Sequence, residues 1–383
     1  MSKILSGYFD YAGATPVDER VTKAMSPYFT DFFYNPSAQY EQARSVAKHV
    51  KDARASVAKI LGTKPSEILF TAGGTESNNL AIQGVMKQYP DCNIVVSTIE
   101  HDSVLEPTTS NTHKLCPVDE KGLIKLNDLL SLIDDKTVLV SVMLANNEIG
   151  TIQPIKKVAE IIKAINQSRQ KKDIKTPLYL HSDCAQATNY LDLNIDRLGV
   201  DLLSINGGKI YGPKQSGILF VKNSVQLKPV IMGGGQERGL RSGTENVPAI
   251  IGFTKALELT SKLRKTETKR LNDLQKFFIE LLEKNLATYQ INGSLKNRLP
   301  NNVHLTFFEQ DNERMMMKLD ELGFQVAVGS ACSASSDEPS HVLKALGMSK
   351  KDIQASLRFT MGRQTTEENI RSLVSAVKSS IRA

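Results

Sequence analysis

The sequence predicts an α/β protein: a mostly parallel sheet covered by helices on both faces, with a smaller α+β region at the C-terminal end. Two observations carry this. From about residue 57 to 222, short apolar runs alternate with stretches of helical periodicity, and strands separated by helices need crossover connections. Beyond residue 250 the pattern changes to a long helical stripe followed by turns and an isolated strand. The 383 residues suffice for a large core and two domains. The expected division is a large domain over 16–258 and a small one built from 1–15 and 259–383.

The elements follow in order. "EILFTAG" reads as a strand that ends in glycine, and it feeds a helix in "TESNNLAIQGVMKQY" whose buried face holds Leu80, Ile82, Val85 and Met86. "NIVVSTIEH" and "VLVSVMLANNE" are the next strands. "IKKVAEIIKAI" places Ile155, Val158, Ile161, Ile162 and Ile165 at helical spacing. Then come the strands "PLYLHSDCAQ", "VDLLSIN" and "GILFVK". Over 250–290, Leu271, Leu274, Phe278, Leu281 and Leu282 form the stripe of one or two long helices. "INGSLKNRLPNNVHLTF" reads as turns and a strand.

Composition removes several classes of function. The net charge of +7 is modest for this length. Lysines spread over helix faces account for it better than a nucleic-acid-binding surface does. No apolar run approaches the roughly 18 residues of a membrane helix, and "MSKILSGYFD" has no signal-peptide core. Cys92, Cys116, Cys184 and Cys332 lie far apart with no CxxC pair, which argues against zinc and against a disulfide framework. A reducing cytoplasm is the expected home.

Ligands of an open parallel sheet bind at the carboxyl ends of its strands. There the sequence places Gly73, Gly74, Thr75 and Glu76 at a helix start, then Glu100 and His101, then Asn146, Asn147 and Glu148, then Asp183 and Gln186, then Asn206, Gly207, Gly208 and Lys209. Small residues at a helix N-terminus suit an anion, although glycine before a helix is also simply a tight turn. Taken singly, His101 reads equally as a core histidine, Asn147 as a turn former and Asp183 as a helix cap. Lys209 is harder to explain that way. It follows two glycines after a buried-type strand, where lysine should be solvated or paired. Pyridoxal 5'-phosphate needs these residue types together: a lysine for its aldehyde carbon, a carboxylate for its ring nitrogen, an anion cradle and a flat stacking partner. Lys209, Asp183, the Gly74–Thr75 turn and His101 meet those needs in turn.

A last feature is "GSACSAS" at 329–335, a lone cysteine presented in a run of small residues rather than packed among apolar ones. With "YFDYAGATPVD", "FTAGGTESNNLAI", "STIEHDSVLE", "NNEIGTIQPI", "HSDCAQ", "KIYGPKQSG", "GGGQERGLRSGTENV", "GSACSASSDEPSHVLKALG" and "SLRFTMGRQTTEENI" in order, the chain resembles the cysteine desulfurases of the nitrogen-fixation and iron–sulfur-cluster type. These are class V members of the fold-type I pyridoxal phosphate enzymes. The resemblance implies a seven-stranded sheet and a small domain carrying a cysteine loop over about 328–340. It also implies removal of sulfur from L-cysteine to give alanine and a persulfide on Cys332.

The resemblance also assigns roles. Lys209 would hold the cofactor covalently, Asp183 would pair with its ring nitrogen, and Gln186 would bond its ring hydroxyl, with Asn147 close by. His101 would stack on the ring and move protons. Gly74, Thr75 and Asn206 would bind phosphate, with Thr244 reaching the phosphate of a partner subunit, so that a homodimer is implied. Arg358 would clamp the substrate carboxylate as a planar, bidentate donor, assisted by Asn35 and Asn147. A sulfur-acceptor protein, an iron–sulfur scaffold or a tRNA-thiolation enzyme, would take the persulfide; neither membrane nor direct nucleic acid is expected as a partner. Four departures stand out: Gly208 where the family has histidine, Asn206 for serine, Tyr40 for histidine and Ala43 for glycine. The first implies weaker cofactor retention, by a side-chain donor worth about 1–3 kcal/mol. The chain stops soon after "SSIRA", where housekeeping relatives carry a longer scaffold-docking tail. A selenocysteine lyase, another class V enzyme and a non-catalytic descendant are the alternatives.

Overall fold

The structure, a computed structural model, describes residues 6–329 and 339–381. Seven strands form the main sheet: β1 Ile68–Thr71, β2 Asn93–Ser97, β3 His113–Cys116, β4 Thr137–Ser141, β5 Tyr179–Asp183, β6 Leu202–Asn206 and β7 Gly217–Val221. Their order is β1-β7-β6-β5-β4-β2-β3. Neighbours from β6 through β3 pair in parallel, whereas β7 runs antiparallel to both β6 and β1. Because β7 reverses twice, β1 points the same way as β6. The carboxyl ends of β1, β2, β4, β5 and β6 therefore open on one edge, where an α/β sheet binds its ligands. The strands β1, β2, β4, β5 and β7 are buried along their whole length, as a sheet covered on both faces requires.

The expected helices cover the sheet. In helix Gly74–Gln88 the predicted face of Leu80, Ile82, Val85 and Met86 is buried. In helix Ile155–Lys171, Ile155, Val158 and Ile162 are buried while Ile161 and Ile165 are half-buried. The stripe after 250 is one continuous helix, Val247–Asn285, of 39 residues, so the expected boundary at 258/259 falls inside it. Edge strand β3 was not expected; its side chains are mostly exposed and carry no apolar alternation.

A second sheet has the order β10-β9-β8, all antiparallel, from Gln290–Ile291, Asn302–Thr306 and Ser356–Thr360. It packs on helix Asn312–Glu321, which in turn packs on helix Glu367–Ser380. The short segment 8–12 runs along the second sheet: Phe9 N–H donates to the Gln325 carbonyl (2.8 Å), and Thr360 N–H donates to the Phe9 carbonyl (2.7 Å).

Candidate active site

The strand ends meet around two adjoining cavities, one of about 680 Å³ and one of about 60 Å³. Gly13, Gly74, Thr75, Asn206 and Lys209 line both. His101, Asn147, Asp183, Gln186 and Arg358 line the smaller one. Nine of the expected residues thus converge, eight of them from the strand ends and Arg358 from the second sheet, and Gly13 joins them.

The anion cradle is built by Gly73, whose φ of 127° is closed to side-chain-bearing residues. It starts helix Gly74–Gln88 at the edge of the cavity, with unpaired first-turn N–H groups and the positive end of the helix dipole. A Cβ added to Gly74 would lie 3.4 Å from Asn206 Nδ2, so Asn206 stands against this turn. Asn206 Oδ1 accepts from Gly208 N–H (2.9 Å), which leaves its Nδ2 as a donor there.

Lys209 ends a short 3-10 turn, Gly207–Lys209, immediately after β6. Its Nζ donates to the carbonyls of Ala12 (2.8 Å) and Gly13 (2.5 Å), and Gln186 Nε2 also donates to Ala12 (3.0 Å). Tyr211 and Gln215 just beyond hold φ of 62° and 56°, left-handed values that cost a non-glycine residue about 1 kcal/mol or more.

Asp183 is nearly buried at the end of β5. Oδ1 accepts from Ala185 N–H (2.8 Å) and Oδ2 from Asn78 Nδ2 (2.7 Å). Asn78 also donates to Ser103 Oγ (2.9 Å), which lies 2.9 Å from His101 Nδ1. His101 Nδ1 accepts from Ser103 N–H and caps helix Asp102–Thr109. One polar chain, fixed by helix Gly74–Gln88, therefore orients both Asp183 and His101. Sequence reading missed Asn78. Its signal was a polar residue on the buried stripe with Ile82 and Val85.

Arg358 leaves the second sheet on β10 and is almost fully buried. Nη1 donates to the Asn147 carbonyl (2.9 Å), Nη2 pairs with Asp10 (2.6 Å), and Nε has no partner among the described residues. Asn147 Oδ1 is likewise buried without a partner among the described residues. Buried polar groups are normally satisfied, so this acceptor and this donor, both at the small cavity, mark where a bound polar group belongs.

The same two strand-end loops grip helix His341–Ala345 from behind. Ser340 Oγ donates to Glu148 (2.6 Å), and His341 Nε2 bonds the Glu100 carbonyl (2.8 Å). Val342 and Leu343 pack with Ile99 and Ile149. Burial raises the carboxyl pKa of both Glu100 and Glu148; Asp183 adds to it at Glu100, and the Ser340 bond opposes it at Glu148. Burial also pushes the Cys184 thiol well up, and Cys116 to about 12, which keeps both inert as thiols.

Three expected residues are not brought in. Asn35 is exposed and its Oδ1 accepts from Ser37 N–H (2.9 Å). Neither cavity is lined by it. Thr244 is exposed on a third cavity of about 180 Å³, which shares Ala72, Gln215 and Arg241 with the larger one but is lined by no other expected residue. Cys332 lies outside the described residues.

The chain belongs to the class-V aminotransferase family, whose match runs over residues 7–373. It is 41% identical over 371 residues to cysteine desulfurase IscS of Dictyoglomus turgidum, covering 95% of this chain and 91% of that protein. To cysteine desulfurase IscS 1 of Archaeoglobus fulgidus it is 40% identical, covering 95% and 94%. Among solved structures, a NifS-like protein superposes with a TM-score of 0.88 at 32% identity, covering 97% of this chain and 98% of that one.

Proposed function

We propose that this protein is a pyridoxal 5'-phosphate-dependent cysteine desulfurase. The observation that carries the reading is the convergence of Lys209, Asp183 and the Gly74–Thr75 helix start with buried Arg358 around one pair of cavities. The donor set fits the cofactor: an amine for its aldehyde carbon, a hydrogen-bonded carboxylate for its ring nitrogen, an imidazole for its ring face and helix N–H groups for its phosphate. The unpaired Asn147 Oδ1 beside Gln186 suits a ring hydroxyl. When bound, the cofactor supplies an electron sink for carbanion chemistry at the amino acid.

The chain's own residues do the rest. Arg358 fixes the substrate carboxylate. His101 and the Lys209 amine hold and return protons beside the reacting carbon. The Cys332 thiolate forms an S–S bond to the substrate sulfur as the substrate C–S bond breaks. The carbon fragment takes a proton and leaves as alanine, and the enzyme keeps a persulfide. Sulfur of the enzyme is oxidised as substrate carbon is reduced, so no outside oxidant is needed.

A homodimer belongs to this reading. Thr244 sits exposed on the third cavity, and Ile231 and Met232 nearby expose large apolar side chains, which supports contact with a second copy. A large domain (16–258) and a small one (1–15 and 259–383) belong to the same reading, and the presence of two separate sheets supports it. Unpaired Cys92, Cys116 and Cys184 support a reducing compartment such as the cytoplasm, and the persulfide would pass to a thiol-bearing acceptor protein. No helix among the described residues is long and apolar enough to cross a membrane.

The test is alanine formed from L-cysteine with pyridoxal 5'-phosphate and a thiol reductant. Wild type should form alanine and Cys332→Ala should not. Wild type that binds the cofactor and makes no alanine overturns the assignment. Greater turnover of selenocysteine by both forms redirects it to a lyase.

A further inference from the structure

We propose that Lys214 is the cationic partner of the cofactor's phosphate, taking the place that a side chain at 208 would otherwise fill. This rests on the pyridoxal phosphate reading above. Gly208 presents no side chain to the cavity. A Cβ built there would lie 3.7 Å from Lys214 Cγ and 3.9 Å from Lys214 Cα, so the stem of Lys214 runs through the space beside the glycine. The lysine lines the larger cavity together with Gly74, Thr75, Asn206 and Lys209.

A charge inventory of that cavity singles it out. Three cations line it: Lys209, Lys214 and Arg241. Arg241 is held by Glu76 through two bonds, of 2.8 and 3.3 Å. Lys209 is committed to the cofactor's carbon. Lys214 makes no ion pair with any described residue; its Nζ donates to the neutral Thr15 carbonyl (2.7 Å). An ammonium has three donors, so two remain for an anion. A phosphate monoester carries about −1.5 to −2 charges at neutral pH, more than a helix N-terminus of about half a charge neutralises.

The position of Nζ is also set by the turn it serves. Thr15 N–H and Oγ1 both donate to the Gly208 carbonyl (3.1 and 3.0 Å), and Thr15 Oγ1 accepts from Tyr211 N–H (2.8 Å). The carbonyl that holds Lys214 is thereby locked to the glycine turn and to Lys209. Retention of the cofactor consequently depends less on the missing side chain at 208 than the sequence suggests.

The experiment compares pyridoxal 5'-phosphate with pyridoxal, which lacks the phosphate, by absorbance titration of apoenzyme freed of cofactor. Lys214→Met should weaken binding of the phosphate ester about tenfold or more, since a hydrogen bond to a charged group is worth about 1.5–3 kcal/mol. Pyridoxal binding should stay within about twofold. Lys214→Arg should retain most of the affinity, and Gly208→His should restore part of it in the Lys214→Met background. Unchanged phosphate-ester affinity in Lys214→Met overturns the proposal, as does an equal loss for both ligands. Failure of wild type to bind either ligand overturns the underlying reading instead, and shows before any variant is made.

Discussion

Arg358 and His304 stand directly opposite each other in the antiparallel pair of β10 and β9. Paired residues share a face of the sheet, so a buried imidazole sits beside the buried guanidinium that lines the small cavity. Asn292 Nδ2 donates to both His304 Nδ1 (3.0 Å) and Thr306 Oγ1 (2.8 Å), which makes Nδ1 the acceptor and leaves the proton on Nε2. Burial, then Arg298 and Arg358, lower its pKa to about 3. His181, between Ser141 and Ser204 on buried strands, falls to about 4, mainly through burial.

Both histidines therefore stay neutral in the fold and gain protons on unfolding below about pH 6.5. The unfolded state binds more protons there, so stability should fall as pH drops from about 6.5 toward 4, by up to about 1.4 kcal/mol per pH unit for each histidine. The slope of melting temperature against pH measures this. His304→Gln should flatten the slope; an unchanged slope would assign the effect to other groups.

Arg358→Lys keeps the charge beside Asp10 but loses the planar fork. The apparent KM for cysteine should rise about tenfold or more, while the affinity for pyridoxal 5'-phosphate stays near wild type. Steady-state kinetics beside a cofactor titration separate the two effects.

Asn78→Ala strips a donor from Asp183 and from Ser103. It should cost about 1–3 kcal/mol in denaturant unfolding and weaken cofactor binding. Asn78→Asp should do more damage, because it sets a second carboxylate against Asp183.

Ser340→Ala removes the cap of helix His341–Ala345 and the partner of buried Glu148 together. A loss of about 1–3 kcal/mol is expected. Glu148→Gln keeps an acceptor for Ser340 and should lose less; differential scanning calorimetry of the two variants makes the comparison.

Much of this site was legible in the sequence because Lys209, Asp183, His101 and Asn147 each follow an apolar run whose end marks a sheet edge. Residues placed by tertiary contact alone were not. Asn78 sits mid-helix, and its partners lie 25 and 105 residues away. Asp10 meets Arg358 only through the fold. Strand β3 escaped notice because an exposed edge needs no apolar alternation. Asn35 and Thr244 lie on surfaces that a single chain does not bring to the two cavities of the site.

Segment 8–13 carries a consequence for the timing of biosynthesis. Its carbonyls hold Lys209, and its Asp10 holds Arg358, which leaves the ribosome 348 residues later. At cellular elongation rates of about 5–20 residues per second, these early residues wait on the order of half a minute for that partner. A nascent chain can close the main sheet once β7 has emerged, yet its carboxylate clamp is completed only when β10 is made. The residues proposed to hold the cofactor and the residue proposed to hold the substrate are thereby completed at different times. A fusion at the front of the chain would disturb the hold on Lys209 and the late pairing of Asp10 with Arg358 alike.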